Sequence, residues 1–125
     1  MSTILLVEDD GTERALIRSA LEAAGYQVQE ASNGTEALRQ YRLAPTGLVI
    51  TDILMPEKDG LETIWALTRE FPDVPIIAMN ENDETLDYLR LARFFGADRV
   101  LRKPFLMNEL LKMVREELQR GPSST

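Results

Sequence analysis

The sequence predicts an α/β fold, a doubly wound parallel sheet of five strands with helices on both faces. Short apolar runs of strand length alternate five times with longer stretches of helical periodicity. This alternation is typical of βα units around a parallel sheet. The first run is apolar at nearly every position, as expected of a strand that is buried on both faces.

The first two units are predicted from their apolar pattern and from the residues that end it. Thr3 to Val7 is the first strand, and a helix over about residues 12–24 ends at Gly25, a residue type that commonly follows a helix. The inward stripe of this helix is predicted to contain Ala15, Leu16, Ala20, Leu21 and Ala24. Residues 26–30 alternate apolar and polar side chains, which suits a strand at the edge of the sheet. Residues 33–43 form the second helix, opened by an Asn-Gly pair.

The third and fourth strands follow the same pattern. Residues 47–51 form the third strand, with Asp52 at its carboxyl end, and the Pro and Gly of residues 55–60 mark a loop. A helix is predicted over about residues 61–71. Two prolines end it before the fourth strand at residues 76–79.

The last part of the chain contains two helices and one short strand. The helices are predicted over about residues 84–95 and 108–119, with the strand between them at residues 99–101. The buried stripe of the last helix is predicted to be Leu110, Leu111, Val114 and Leu118. A chain of 125 residues fits one domain, so we expect residues 1–120 to form it and residues 121–125 to be a flexible tail.

Composition restricts the chemistry that this chain can perform. It has no cysteine and no histidine, so reactions must use carboxylates, lysine, hydroxyls or amides. The net charge of −7 argues against direct binding of nucleic acid, which needs a surplus of Lys and Arg. The sequence has neither an apolar run long enough to span a bilayer nor a basic leader. We therefore expect a cytoplasmic protein with no membrane partner.

Polar residues at the strand ends predict the functional site, because ligands of doubly wound sheets bind outside the carboxyl ends of the strands. They are Glu8, Asp9 and Asp10 after the first strand, Asp52 after the third, Asn80 and Glu81 after the fourth, and Lys103 after the fifth. Taken singly, Asp10-Gly11 is a turn and helix-start signal, Asp52 a loop cap and Lys103 a surface lysine. Their joint placement in one predicted cleft favours a site.

Several carboxylates held together are stable only if some are protonated or a cation neutralises them. Oxygen ligands without histidine or cysteine select a hard ion, Mg²⁺ or Mn²⁺. Such an ion keeps coordination positions that phosphate oxygens can take, and a nearby ammonium offsets further charge. Asp52 can then act as the nucleophile toward a phosphoryl donor. The residues therefore predict a site that binds a phosphoryl group.

Three segments carry motifs in a fixed order. They are residues 4–10 (ILLVEDD), residues 48–60, which contain Asp52, Met55-Pro56 and Asp59-Gly60, and residues 96–105, which run from Gly96-Ala97-Asp98 to Lys103-Pro104-Phe105. Together they closely resemble bacterial response-regulator receiver domains, and the resemblance extends to about Gln119. It implies a flavodoxin-like sheet in the order 2-1-3-4-5 with five helices. It also implies a cis peptide bond between Lys103 and Pro104.

The resemblance implies a role for each site residue. Asp52 is the implied phosphoacceptor, and Lys103 is the implied contact of the phosphoryl group. The implied Mg²⁺ site consists of Glu8, Asp9, Asp52 and the backbone carbonyl of Leu54, with Asp9 and Asp52 as direct ligands.

The chain departs from the family pattern at three positions. Asn80 stands where the family has Thr or Ser, Glu81 stands where a small residue is usual, and Val100 replaces an aromatic residue three positions before the lysine. We expect Asn80 to serve with Asp52 and Lys103 in the chemistry, since its amide can donate to a phosphoryl oxygen. The departures bear on the output mechanism more than on the acceptor site.

The resemblance implies phosphorelay signalling by a stand-alone switch, and not a turnover enzyme. The expected donors are a histidine kinase, a histidine phosphotransfer protein or a small phosphodonor, and the output is a contact with an unknown downstream protein. The alternative is a pseudo-receiver, a protein-binding module with weak or no phosphorylation. A dehalogenase-type phosphatase would need its nucleophilic Asp, and a second Asp two residues further on, after the first strand. Here Asp52 follows the third strand, and Leu54 stands two residues after it. A flavodoxin-like FMN carrier would need a phosphate loop there, where Glu8, Asp9 and Asp10 would repel a phosphate.

Overall fold

A computed structural model describes residues 2–53, 60–80 and 86–120 of the chain, without the side chains of residues 86–89. Its strands are β1 (Thr3–Val7), β2 (Gln27–Ala31), β3 (Leu48–Asp52), β4 (Ile76–Asn80) and β5 (Arg99–Arg102). They form one parallel sheet in the order β2-β1-β3-β4-β5. The predicted fold class and strand order are confirmed, and β2 lies at an edge as its alternating pattern indicated.

Helices connect the strands. They are α1 (Gly11–Ala23), α2 (Gly34–Leu43), α3 (Gly60–Glu70), α4 (Leu86–Phe95) and α5 (Met107–Arg120). Side-chain oxygens fix the starts of the first two, because Asp10 accepts from the amides at the start of α1 and Asn33 accepts from Glu36 N at 2.8 Å. The predicted start of α4 at residue 84 and the predicted tail at residues 121–125 lie outside the described residues. No described helix has the length and apolar composition that crossing a membrane requires.

The core has two apolar layers, one on each face of the sheet. Alternate residues of β1 divide between them: Ile4 and Leu6 join one layer, and Leu5 and Val7 join the other. The first layer includes residues of α1 and α5, and the second includes residues of α2, α3 and α4. Both faces of β1 and β3 are therefore buried, which explains their continuous apolar sequences.

The inward face of α1 differs from the predicted stripe. Ile17 and Leu21 are buried, whereas the predicted stripe residue Leu16 is 62% exposed and Ala15 is also exposed. A helix brings residues four positions apart to the same face, so the pair of large side chains at 17 and 21 defines the contact with the sheet. On α5, two predicted stripe residues are buried, and Glu117 is buried as well.

Strand order places the site. The chain passes from β1 outward to β2, then returns past β1 to β3, so the connections after β1 and β3 lie on opposite faces of the sheet. A crevice opens at such a point beyond the carboxyl ends of the two strands. Glu8 and Asp9 follow β1 directly, and Asp52 is the last residue of β3.

Candidate functional site

Three carboxylates meet at the carboxyl ends of β1 and β3. Glu8, Asp9 and Asp52 each offer an oxygen, and these oxygens lie within 4.8 Å of one another. Glu8 is 1% exposed and Asp52 is 6% exposed, whereas Asp9 is exposed. The cluster thus has a buried side in the sheet and an open side toward solvent. The structure brings together the three predicted metal-binding side chains.

The ammonium of Lys103 completes this cluster from the end of β5. Its Nζ lies 3.1 Å from Glu8 Oε1 and 3.2 Å from Asp52 Oδ2. The backbone helps to place it, because Lys103 N donates to Asn80 O at 2.6 Å. The Lys103–Pro104 peptide bond is cis, which confirms that prediction.

Backbone and side-chain contacts hold the two buried carboxylates, Glu8 and Asp52, in position. Glu8 N donates to Ala31 O on β2 at 3.0 Å, and the Arg14 guanidinium donates to Glu8 O at 2.7 Å. Glu8 Oε2 accepts from Asp10 N at 3.2 Å. Asp52 Oδ1 accepts from Ile53 N at 3.1 Å. Each buried carboxylate therefore has one oxygen on Lys103 and the other on a backbone amide.

Burial dominates the electrostatics of the site. It raises the pKa of Glu8 to about 8, with the negative charge of Asp52 adding to the rise and Lys103 opposing it. Burial likewise raises the pKa of Asp52 against the opposing charge of Lys103. Burial by itself lowers the pKa of Lys103, but hydrogen bonding to Glu13 and the charges of Asp52 and Glu8 raise it above its usual range. The lysine is therefore a permanent cation, whereas the buried carboxyl groups keep their protons to higher pH than exposed carboxyl groups do.

The remaining residues that the sequence analysis considered lie outside the carboxylate cluster or outside the described residues. Asn80 is buried at the end of β4, next to β3. The Asp10 carboxylate caps α1, accepting from Thr12 N at 2.9 Å and Glu13 N at 3.0 Å. Val100 is partly buried on β5 and packs against the layer that includes α3 and α4. Leu54 and Glu81 lie outside the described residues.

Glu13 is a site residue that the sequence prediction missed. Its carboxylate contacts Lys103 Nζ from the first turn of α1. A sequence signal does exist, since Asp10 and Glu13 have the spacing of a capping box, in which the later carboxylate accepts from the amide of the cap residue. That signal would have given Glu13 a structural role at the helix start. The structure places it in the site.

Comparisons with known proteins agree with this geometry. The profile of the response regulator receiver domain matches residues 4–115. The transcriptional regulatory protein CpxR homolog of Haemophilus influenzae is 36% identical over 98% of this chain and 53% of its own length. The chain thus spans about half the length of the curated relatives it matches.

Solved structures show the same fold. A response regulator receiver domain protein from Clostridium thermocellum has a TM-score of 0.89 and 30% identity, with 96% of both chains covered. The response regulator TrrA of Thermotoga maritima, in complex with Mg²⁺ and beryllium fluoride, has a TM-score of 0.86 and 32% identity over 94% of this chain and 99% of its own.

Proposed function

Because the chain belongs to the response regulator receiver domain family and so acts in phosphorelay signalling, we propose that Asp52 is its phosphoacceptor. The observation that carries the proposal is that a lysine ammonium and two further carboxylates meet the carboxylate of Asp52. Its carboxylate is 3.2 Å from the Lys103 ammonium and belongs to the cluster of three carboxylates. A nucleophile, a cation and a cation-binding acid cluster within one crevice are what phosphoryl transfer to a carboxylate needs.

The transfer forms one bond and breaks one. A carboxylate oxygen of Asp52 attacks the phosphorus atom, and the bond from phosphorus to the donor nitrogen or oxygen breaks, so that the donor leaves with the bonding electron pair. Lys103 neutralises a phosphoryl oxygen as the charge shifts. Met79 lies opposite Asp52 in the β3–β4 pairing, so the next residue, Asn80, ends the strand that neighbours the acceptor. We assign the Asn80 amide as a second donor to the phosphoryl group.

The donor set at the site fits Mg²⁺. Glu8, Asp9 and Asp52 supply closely spaced carboxylate oxygens, and the chain has no histidine or cysteine to favour a softer metal. When bound, the ion would neutralise the acid cluster and the phosphoryl oxygens. The complex of TrrA with Mg²⁺ and beryllium fluoride supports this assignment. The carbonyl of Leu54 stays a predicted further ligand.

The donor is proposed to be a phosphohistidine on a histidine kinase or a histidine phosphotransfer protein. The chain has no histidine, so no residue within it can serve as the phosphohistidine donor. The product, phosphorylated Asp52, is a switch state read by a downstream protein. In this proposal the protein is a switch that is phosphorylated and dephosphorylated, and not a turnover enzyme.

Intact mass after incubation with acetyl phosphate and Mg²⁺ tests the proposal. We expect wild type to gain one phosphoryl group, because transfer from a small donor such as acetyl phosphate needs only the groups of the site and no kinase. Asp52→Asn should gain none. Asp73→Asn, which changes an exposed carboxylate outside the site, should be labelled as wild type is. Wild type without label, or Asp52→Asn with the wild-type label, would contradict the assignment of Asp52.

A further inference from the structure

The ammonium of Lys103 is fully occupied by carboxylates in the described structure. A lysine ammonium has three N–H donors. Lys103 Nζ lies 3.1 Å from Glu8 and 3.2 Å from Asp52, and it also contacts Glu13. A phosphoryl oxygen that is to bind Lys103 must therefore replace one of these three partners.

Glu13 is available to Lys103 because the start of α1 does not use its carboxylate in the expected way. In a capping box, Glu13 would accept from Asp10 N. Here Asp10 N donates to Glu8 Oε2 at 3.2 Å, while the Asp10 side chain caps the helix. Because Glu8 accepts the hydrogen bond from the Asp10 amide, the Glu13 carboxylate is left to contact Lys103.

Glu13 differs from the other two partners in its surroundings. Glu8 and Asp52 belong to the buried acid cluster, but Glu13 is outside that cluster and its side chain is 32% exposed. It lines, with Lys103 and Phe105, a cavity of about 340 Å³ between α1 and the segment after β5. Glu13 therefore holds the ammonium from outside the acid cluster, at a site open to solvent.

Resting on the proposed function of Asp52, we propose that Glu13 is a positioning residue that competes with the incoming phosphoryl group for Lys103. While Glu13 is bound, the third N–H of the lysine is taken by its carboxylate and is not available to a phosphoryl oxygen. Phosphoryl transfer requires Lys103 to exchange this carboxylate for a phosphoryl oxygen. Glu13 thereby slows the phosphorylation of Asp52, and a partner protein that displaced Glu13 from Lys103 would speed this phosphorylation.

Labelling rates with acetyl phosphate and Mg²⁺, read by intact mass, test the competition. Glu13→Gln should be labelled about three- to tenfold faster than wild type, since a neutral amide is a weaker partner of an ammonium than a carboxylate is. Glu22→Gln, which changes a half-exposed carboxylate elsewhere on α1, should keep the wild-type rate. Circular dichroism melts should confirm that each variant is folded.

A double-mutant cycle separates this mechanism from simple repulsion between Glu13 and an anionic donor. If Glu13 acts through Lys103, Glu13→Gln should change the rate less than about twofold in a Lys103→Gln background. Repulsion would give the same acceleration in both backgrounds and would overturn the proposal. If Lys103→Gln does not fold, Glu13→Asp replaces it: this variant keeps the charge but shortens its reach, so acceleration supports the contact and an unchanged rate overturns it.

The outcomes for the two proposals can be told apart. A wild type labelled at Asp52 with an unchanged rate in Glu13→Gln would overturn the role of Glu13 alone. A wild type that takes no label would overturn the role of Asp52, and with it the competition for Lys103.

Discussion

Gly60 lies against the backbone of the proposed acceptor. A Cβ added at this position would be 2.1 Å from Asp52 O and 2.6 Å from Ile53 Cα, distances that no real side chain adopts. Gly60 N also donates to Ile53 O at 2.6 Å. The residue that begins α3 thus lies directly against the proposed acceptor and is hydrogen-bonded to the residue that follows it. Its lack of a side chain is what permits this approach.

Gly60→Ala should destabilise the fold and disturb Asp52 together. The added methyl group must push backbone atoms, which cannot rotate away as a flexible side chain can, so we expect a loss of about 1–3 kcal/mol. Gly11→Ala is the matched control, because its Cβ would meet only Arg14 Nη2 at 3.8 Å and alanine favours a helix. Thermal melts of both variants check the prediction. A Gly60→Ala variant that melts like wild type would contradict the close approach.

At the scale of elements, a set of charged contacts holds α5 against β5 and the start of β4. Glu117 is 3% exposed on α5 and accepts from Arg120 at 2.6 Å and from Arg99 on β5 at 3.4 Å. Arg120 also donates to Asp98, whose carboxylate accepts from Ile76 N at 2.8 Å. These contacts hold β5 in place, and Lys103 directly follows that strand.

Glu117→Ala should lower stability by about 1–3 kcal/mol, because it leaves two arginines without this carboxylate and opens space against the sheet. The half-exposed arginines can turn to water, which limits the loss. Glu116→Ala removes the other partner of Arg99 at the surface and should lose less than about 1 kcal/mol. Urea midpoints at equal slope compare the two variants. Equal losses would show that the burial of Glu117 has no energetic effect.

The sequence predicted elements better than it predicted their charged faces. The strand order followed from the family resemblance. The edge position of β2 and the grouping of Glu8, Asp52 and Lys103 followed from apolar patterns and from the polar residues at the strand ends. The inward face of α1 did not, because the predicted stripe contained the exposed Leu16 in place of the buried Ile17, and because the prediction considered only apolar residues. In the structure that face begins with Glu13 and Arg14, which contact the site, before Ile17 and Leu21 reach the core. Glu117 escaped prediction on α5 for the same reason.

For the whole molecule, the buried acids couple stability to pH and to cations. The pKa of Glu8 is about 8 in the folded chain, against 4.5 for the ordinary side chain. Between these values the folded state holds a proton that the unfolded state has released, so stability rises as pH falls. This contribution is complete below the ordinary pKa and is lost as pH rises through about 8.

The metal-free protein should therefore melt higher at about pH 6 than at about pH 8.5 when measured in chelator. Glu8→Gln should remove most of this difference, whereas Glu22→Gln should keep it. Millimolar Mg²⁺ should raise the melting temperature more at the higher pH, because the ion binds the ionised carboxylates. A melting temperature that falls on acidification across this range, in chelator, would contradict the burial of a protonated Glu8.

The distance along the chain between Glu8 and Lys103, 95 residues, has a consequence for synthesis. A ribosome releases β1 and β3 before β5, so a nascent chain acquires its two buried acids well before their counter-ion. Until β5 docks, those acids can be buried in the sheet only as protonated groups or beside a cation from the solution. Lys103, which directly follows the fifth strand of this sheet, is thus the residue that offsets the charge of the two buried acids.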